Sequence, residues 1–591
     1  MLKKREDIDQ KYKWNLDSLY PSDQAWEDDY KLAEAMFEEL KKMEGSILSS
    51  SENFKKNLEL SLDSSRKVSR IATYAKMKQD ENTKDSHYQE LNGRASNLGV
   101  KFSEATSYIV PEMMMGDEET IRNYLKEDGL KLYTQHVNDI LRARPHTLTP
   151  GEEAIMAGAS ELFTAPSTAF GMLNGADLKF PNVGKDSLTH GSFIPFMMKK
   201  DRAVREEAFK KYYKVFDEHK NTFASLLSSE VKKNIFNAKA RKHTSARACA
   251  LHDNNVPESV YDNLIEAVHK NLPAMHRYID LRKKMLRVDK LRPFDLYVPL
   301  IDDVDMKYAY EDGRDTVLKS LEILGDDYLG PVRDAFEDSW IDVYENEGKR
   351  SGAYSWGTYD SKPYILLNYH DELGDVFTLT HEMGHSMHSY LTRKNQPYVY
   401  GNYSIFVAEV ASTTNEALLN KYLLDNVKEK NERLYLLNNY LENFRGTVFR
   451  QTMFAEFERD IHAYAADGGA LTADQLCKMY RDLNAKYYGE SLDIDAELDL
   501  EWARIPHFYY NFYVFQYATG FSSAVALADK MVNEGQQAVS DYKSFLGAGC
   551  SDYPIEVLKA AGVDMTTPEP VDNALNVFNA LVEEMEKLIN L

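Results

Sequence analysis

The run from Ser64 to Val100 carries few helix breakers, and it spaces Val68, Ile71 and Ala75, then Leu91, Ala95 and Leu98, three and four residues apart. Apolar residues at that period line one side of a helix, so the run predicts an amphipathic helix or a hairpin of two. Leu575, Phe578, Val582 and Met585 repeat the stripe near the C-terminus. Most of the chain reads this way, which makes a mainly α-helical protein the expected fold class. At 591 residues the chain exceeds what one core supports, so two or more packed lobes are expected.

Punctuation is sparse. The stretch 144–151 holds two prolines and a glycine and ends one helical region, and 180–186 reads as strand or loop. A soft boundary falls near residue 200, separating an N-terminal helical lobe (1–200) from the remainder (201–591). One region departs from the helical pattern. Residues 353–359 and 364–369 are rich in strand formers, and Asp360, Ser361, Lys362 and Pro363 lie between them, which reads as a β-hairpin.

The charge balance excludes whole classes of partner. With 71 Lys and Arg against 94 Asp and Glu, the formal charge is -23, a surface that repels phosphate backbones and anionic headgroups. Nucleic acid and membrane partners are therefore not expected. The three cysteines are far apart, which fits a reducing compartment. The N-terminus lacks the apolar core of a secretory signal, and no apolar run approaches a membrane span. A cytoplasmic location is the expectation; oligomeric state is not legible.

Directly after the hairpin comes HEMGH, residues 381–385. Residues four apart share one helix face, so His381 and His385 can converge on one ion, while Glu382 reaches a water beside it. Zinc acidifies such a water and polarises the scissile carbonyl; the carboxylate takes the proton and passes it to the leaving amine. Chance gives about 0.03 such patterns in a chain of this composition, so the match needs support from its neighbourhood. A hydrolytic zinc site requires a third protein ligand and one open position. Glu409 and Glu416 stand two turns apart on an apolar helical stretch, where an acid needs a partner. Glu409 is the expected third ligand, and Glu416 can orient a ligand imidazole through its second nitrogen. His388 and His370 are weaker alternatives as ligands.

A second cluster runs from His507 to Tyr517. Tyr510, Tyr513 and Tyr517 fall at i, i+3 and i+7, so a helix would show three phenols on one face with His507 a turn earlier. An aromatic core stripe is the plainer explanation of the spacing alone. Peptide hydrolysis, however, passes through a tetrahedral oxyanion that needs preorganised donors.

HEMGH, followed by a glutamate 24 residues after its second histidine in the setting FVAEVAS-TTNE, resembles the thimet/neurolysin-like metallopeptidases and within them the bacterial oligoendopeptidase F branch. YKWNLDSLY, SGAYSWGTYDSKPYILLNY, PHFYYNFYVFQYATG and YPIEVLKAAGVDM extend the resemblance over nearly the whole chain. It implies a two-lobed helical ellipsoid enclosing a deep substrate channel, with a small β-sheet next to the HExxH helix of a thermolysin-like core. It also implies one Zn2+ ion and short unfolded peptides as substrates. A strand beside the metal would pair with the substrate backbone, which singles out Gly352, Ala353 and Tyr354, with Tyr513 as a further substrate contact. Family members use a His and Tyr residues from the 507–517 region, here His507, Tyr510 and Tyr517, with the choice among tyrosines open.

Two competing readings remain. An exopeptidase would need an anchor for a substrate terminus, for which Arg504 is the candidate. A non-catalytic peptide-binding protein would have no use for Glu382 beside the ligands.

Overall fold

The computed structural model describes residues 2–301 and 306–589, of which helix forms the great majority: 73% helix against 2% strand. The mainly α-helical class follows from the sequence stripes. The chain forms two compact units, each assembled from three segments. The first contains Met1–Pro145, Met306–Tyr422 and Leu527–Gly562, and the second His146–Asp305, Leu423–Ala526 and Val563–Leu591.

In the first unit the predicted helical hairpin is present as Ser51–Glu81 and Ser86–Thr106, joined by a short turn. Asp85 caps the second helix by accepting from the His87 N–H, satisfying one of the amide groups that a helix start leaves open. With Asp23–Lys41 they build a three-helix layer whose shared core includes Trp26, Phe37, Ile71, Tyr74, Leu91, Ala95 and Leu98. Tyr364 and Leu366 belong to that same core, so the layer packs directly under a sheet strand.

That sheet is the one among the described residues. Its strands are β1 (Ile341–Asp342), β2 (Tyr354–Trp356) and β3 (Tyr364–Leu366), in the order β1-β3-β2. The expected hairpin is the antiparallel β2–β3 pair, with Ser355 opposite Ile365; β1 runs parallel to β3 on the other side. β2 is thus an edge strand. An N-terminal segment buttresses the far side. The Val343 N–H donates to Tyr12 O at 3.0 Å, and Arg5 and Lys349 both reach the buried carboxylate of Asp342, at 2.6 and 2.8 Å. A buried carboxylate is tolerable only when so paired, and its two cations hold its pKa down against the effect of burial.

The second unit is built on longer helices. Arg202–Ala240 and Glu258–Leu286 are its main struts, and the predicted C-terminal helix, Glu569–Ile589, buries Leu575, Phe578, Val582 and Met585 against the latter. Residues 180–186 form a loop with a single bridge between Val183 and Asp186.

Candidate metal centre and tyrosine cluster

HEMGH lies on the helix Leu373–Asn395. Asp375 closes its N-terminus by accepting from the N–H groups of Glu372 at 3.0 Å and His370 at 2.9 Å. Val376, Leu379, Met383 and Met387 form its buried stripe, and His381 and His385 sit beside that stripe, partly exposed. Glu409 and Glu416 lie on the helix Ile405–Asn426.

Gly384 explains how the two helices meet. A Cβ there would stand 2.5 Å from Ser412 Cα and 2.8 Å from Ala411 O, so only glycine permits this approach. Asn415, buried between the helices, donates to Thr380 O at 3.4 Å and accepts from the Tyr328 hydroxyl at 3.1 Å.

The approach brings three donor atoms together. His381 Nε2 and His385 Nε2 are 3.1 Å apart, and Glu409 Oε2 stands 3.3 Å from the first and 3.5 Å from the second. Ligand bonds of about 2.0–2.1 Å in a tetrahedron give edges of about 3.3–3.4 Å, so this triangle has the size of three corners around one zinc ion. The other nitrogen of His381, Nδ1, contacts Glu416 Oε1 at 2.5 Å, which places its proton there and leaves Nε2 to ligate. The electrostatics agree. Burial opposes a proton on His381, but Glu409 and Glu416 outweigh it and lift the imidazole to about 10. Both imidazoles hold Glu409 well below the usual carboxylate range. The site therefore favours positive charge at this point, which a divalent ion supplies as well as a proton does.

Glu382 is buried next to the triangle, and burial raises its pKa although His381 and His385 oppose the rise. Edge strand β2 lies on the same side: Ser355 Oγ and Ser386 Oγ are hydrogen-bonded at 2.8 Å, joining the strand to the metal helix. Sequence reasoning passed over Ser386; its only signal is a hydroxyl on an otherwise apolar helix face. Of the substrate-strand candidates, Tyr354 is in β2 and donates to Asp80 at 2.8 Å, while Gly352 and Ala353 precede the strand, Gly352 at φ 85°. His388 stacks on Tyr403 at 3.6 Å, and His370 is exposed beside Glu345 at 3.4 Å; neither joins the triangle.

The second cluster, in the other unit, is not the single helical face that its spacing predicts. Pro506–Tyr509 is a short 3-10 turn, Asn511 and Phe512 are left-handed at φ 48° and 58°, and the next helix begins only at Phe515. The break is enforced from below, where the Phe512 N–H donates to the buried Glu458 carboxyl at 2.7 Å. Tyr510 and Tyr513 therefore sit in a loop and Tyr517 on a helix. The loop still gathers them. Tyr517 Oη is 3.4 Å from His507 Nε2, the Tyr510 and Tyr517 rings lie 5.5 and 5.9 Å from the His507 ring, and Tyr513 stands 5.4 Å from Tyr517. Burial lowers the His507 pKa, so its ring is neutral near pH 7. Arg504 is engaged with Glu501 at 2.6 Å and with Tyr213 at 3.2 Å, a structural pairing that leaves it unsuited to anchoring a substrate terminus.

Comparison with known proteins gives the family. Residues 196–577 match the model of Peptidase family M3, and residues 112–180 match that of Oligopeptidase F. The chain is 48% identical to oligopeptidase PepF of Bacillus subtilis over 99% of its own length and 88% of the relative's. It is 44% identical to an oligoendopeptidase F homologue of Lactococcus lactis, covering 100% of this chain and 99% of that one. Among solved structures, oligoendopeptidase-F from Enterococcus faecium superposes with a TM-score of 0.73 at 39% identity, over 96% of this chain and 99% of that one.

Proposed function

Because the chain belongs to peptidase family M3, in its oligoendopeptidase F group, and is a metalloendopeptidase, we propose that it uses one zinc ion to cut internal bonds of short, unfolded peptides. The observation that carries the proposal is the triangle of His381, His385 and Glu409 donors beside the carboxylate of Glu382.

The chemistry that a bound zinc ion supplies is acidification of a water and polarisation of the carbonyl under attack. The protein does the rest. His381 and His385 present their Nε2 atoms to the same point, the first ring oriented by Glu416. Glu382 takes the proton of the attacking water on its carboxylate and delivers it to the leaving nitrogen. The outer edge of β2, preceded by Gly352 and Ala353, can add a substrate backbone as a further strand, which aligns the scissile bond without reading side chains. His507, Tyr510 and Tyr517 are assigned as hydrogen-bond donors to the oxyanion, and Tyr513 as a substrate contact. That assignment rests on their clustering and on the family resemblance. Residues 201–591 are assigned as the catalytic region, and the cytoplasm as the location, which the three scattered cysteines fit.

The test is an internally quenched peptide of about eight residues, blocked at both ends, assayed with and without a chelator. Internal cleavage that the chelator abolishes and zinc restores is the expected result. Cleavage only of an unblocked twin would replace the endopeptidase with an exopeptidase.

A further inference from the structure

A second set of imidazoles lies within the second unit, outside every residue assigned above. His146 precedes the helix Pro150–Gly158, His243 follows the strut Arg202–Ala240, and His252 ends the short helix Ala246–His252. One ring nitrogen from each lies within 4.8 Å of the other two, and all three residues are half-buried. The His146 and His243 rings are stacked at 3.6 Å, and the His252 ring stands edge-on to both, at 4.7 and 5.1 Å.

Their surroundings hold them in place. His146 Nδ1 donates to Arg241 O at 2.8 Å, which sets its tautomer and leaves the Nε2 lone pair available. Arg241 is itself fixed by two bonds to Glu153, at 2.9 and 3.0 Å. The His243 N–H donates to Ala238 O at 2.8 Å, directly after Lys242 at φ 61°. The His252 carbonyl accepts from the Asn255 N–H at 2.8 Å, with Asn255 at φ 49°. Non-glycine residues in the left-handed region are uncommon, and here one lies close to each of two histidines. A backbone-bonded ring nitrogen that fixes the tautomer of a ligand histidine is the usual support of a metal site.

We propose that His146, His243 and His252 form a second metal site, separate from the catalytic centre, that takes a divalent transition ion of the Zn2+, Ni2+ or Cu2+ kind. Three imidazoles suit these ions, whereas Mg2+ and Ca2+ require oxygen donors. Parallel stacked rings cannot both aim their in-plane lone pairs at one ion, so binding tilts His146 and His243 out of parallel. His243 also lines a cavity of about 500 Å3, together with Lys239, Lys242 and His462. Three protein ligands leave a coordination position open, as in zinc sites built from three histidines.

The experiment counts ions on the full-length protein. Chelator-stripped chains are loaded with excess Zn2+, desalted, and analysed for metal per chain alongside peptide cleavage. The wild type should retain two ions. His243→Ala and His252→Ala should each retain one and still cleave peptide, and the double variant H381A/H385A should retain one and not cleave. Loaded with Cu2+, that double variant should give an electron paramagnetic resonance spectrum with splitting from three imidazole nitrogens. One ion in the wild type and in His243→Ala alike, with none in H381A/H385A, would overturn the site. If His243→Ala does not fold, judged by circular dichroism, the double variant decides alone: a three-nitrogen spectrum supports the site, and no bound copper refutes it.

Discussion

Three glutamates near HEMGH do different work because each meets a different partner. Glu409 faces both imidazoles, Glu416 meets the far nitrogen of one, and Glu382 is buried beside them. Replacing Glu382 with Gln keeps the shape and removes the proposed base, so kcat should fall about 10^2–10^4-fold while bound metal, measured per chain, stays unchanged. Unaltered turnover with metal in place would refute its role. Glu416→Gln acts through His381, and metal affinity in a competitive chelator titration should weaken about 10–100-fold. Glu458 is a residue of another kind. Burial pushes its carboxyl up to about 8, opposed by the Phe512 N–H and assisted by Glu230. A folded pKa above the unfolded value means that its contribution to stability is whole below about 4.5 and is lost as pH rises through about 8. Glu458→Gln keeps an acceptor for Phe512 without the charge. Its Tm should therefore fall less than that of the wild type between pH 6 and 9, and parallel melting curves would count against this account.

At the scale of elements, the candidate metal centre is a consequence of two helices in unusually close contact. Gly384→Ala would drive a methyl into the backbone at Ser412, which cannot move aside as a side chain does. The helices must separate, at a cost of about 1–3 kcal/mol, and Glu409 moves with them. Both a lower Tm and weaker metal binding are expected; a variant that binds zinc normally would show that the contact does not set the donor triangle. The tyrosine cluster teaches the opposite lesson. Its i, i+3, i+7 spacing imitates a helix, but the buried Glu458 captures the Phe512 N–H and breaks it.

At the scale of the whole molecule, the charge of -23 acts on encounter rather than on chemistry. Long-range attraction should make kcat/KM for a basic peptide fall as ionic strength rises, while an acidic peptide of equal length gains or stays level. Equal responses would place the acidic residues where approaching peptides do not feel them. The two compact units each draw on three chain segments, so the segments that complete each core lie hundreds of residues apart.

The sequence by itself determined the helical class and the hairpin, and it pointed to His381, His385 and Glu409, whose donor atoms the fold brings together. Periodicity and local motif chemistry act over a turn or two of helix, and these features need nothing longer. Only the tertiary structure decided that Gly384 is a helix contact, that Ser355 and Ser386 join strand to helix, and that the 507–517 segment bends. It also brought His146 to His243 and His252, about a hundred residues away. Such juxtapositions arise from packing between distant segments, where the energy of a contact depends on its partner and leaves no periodic trace in the chain.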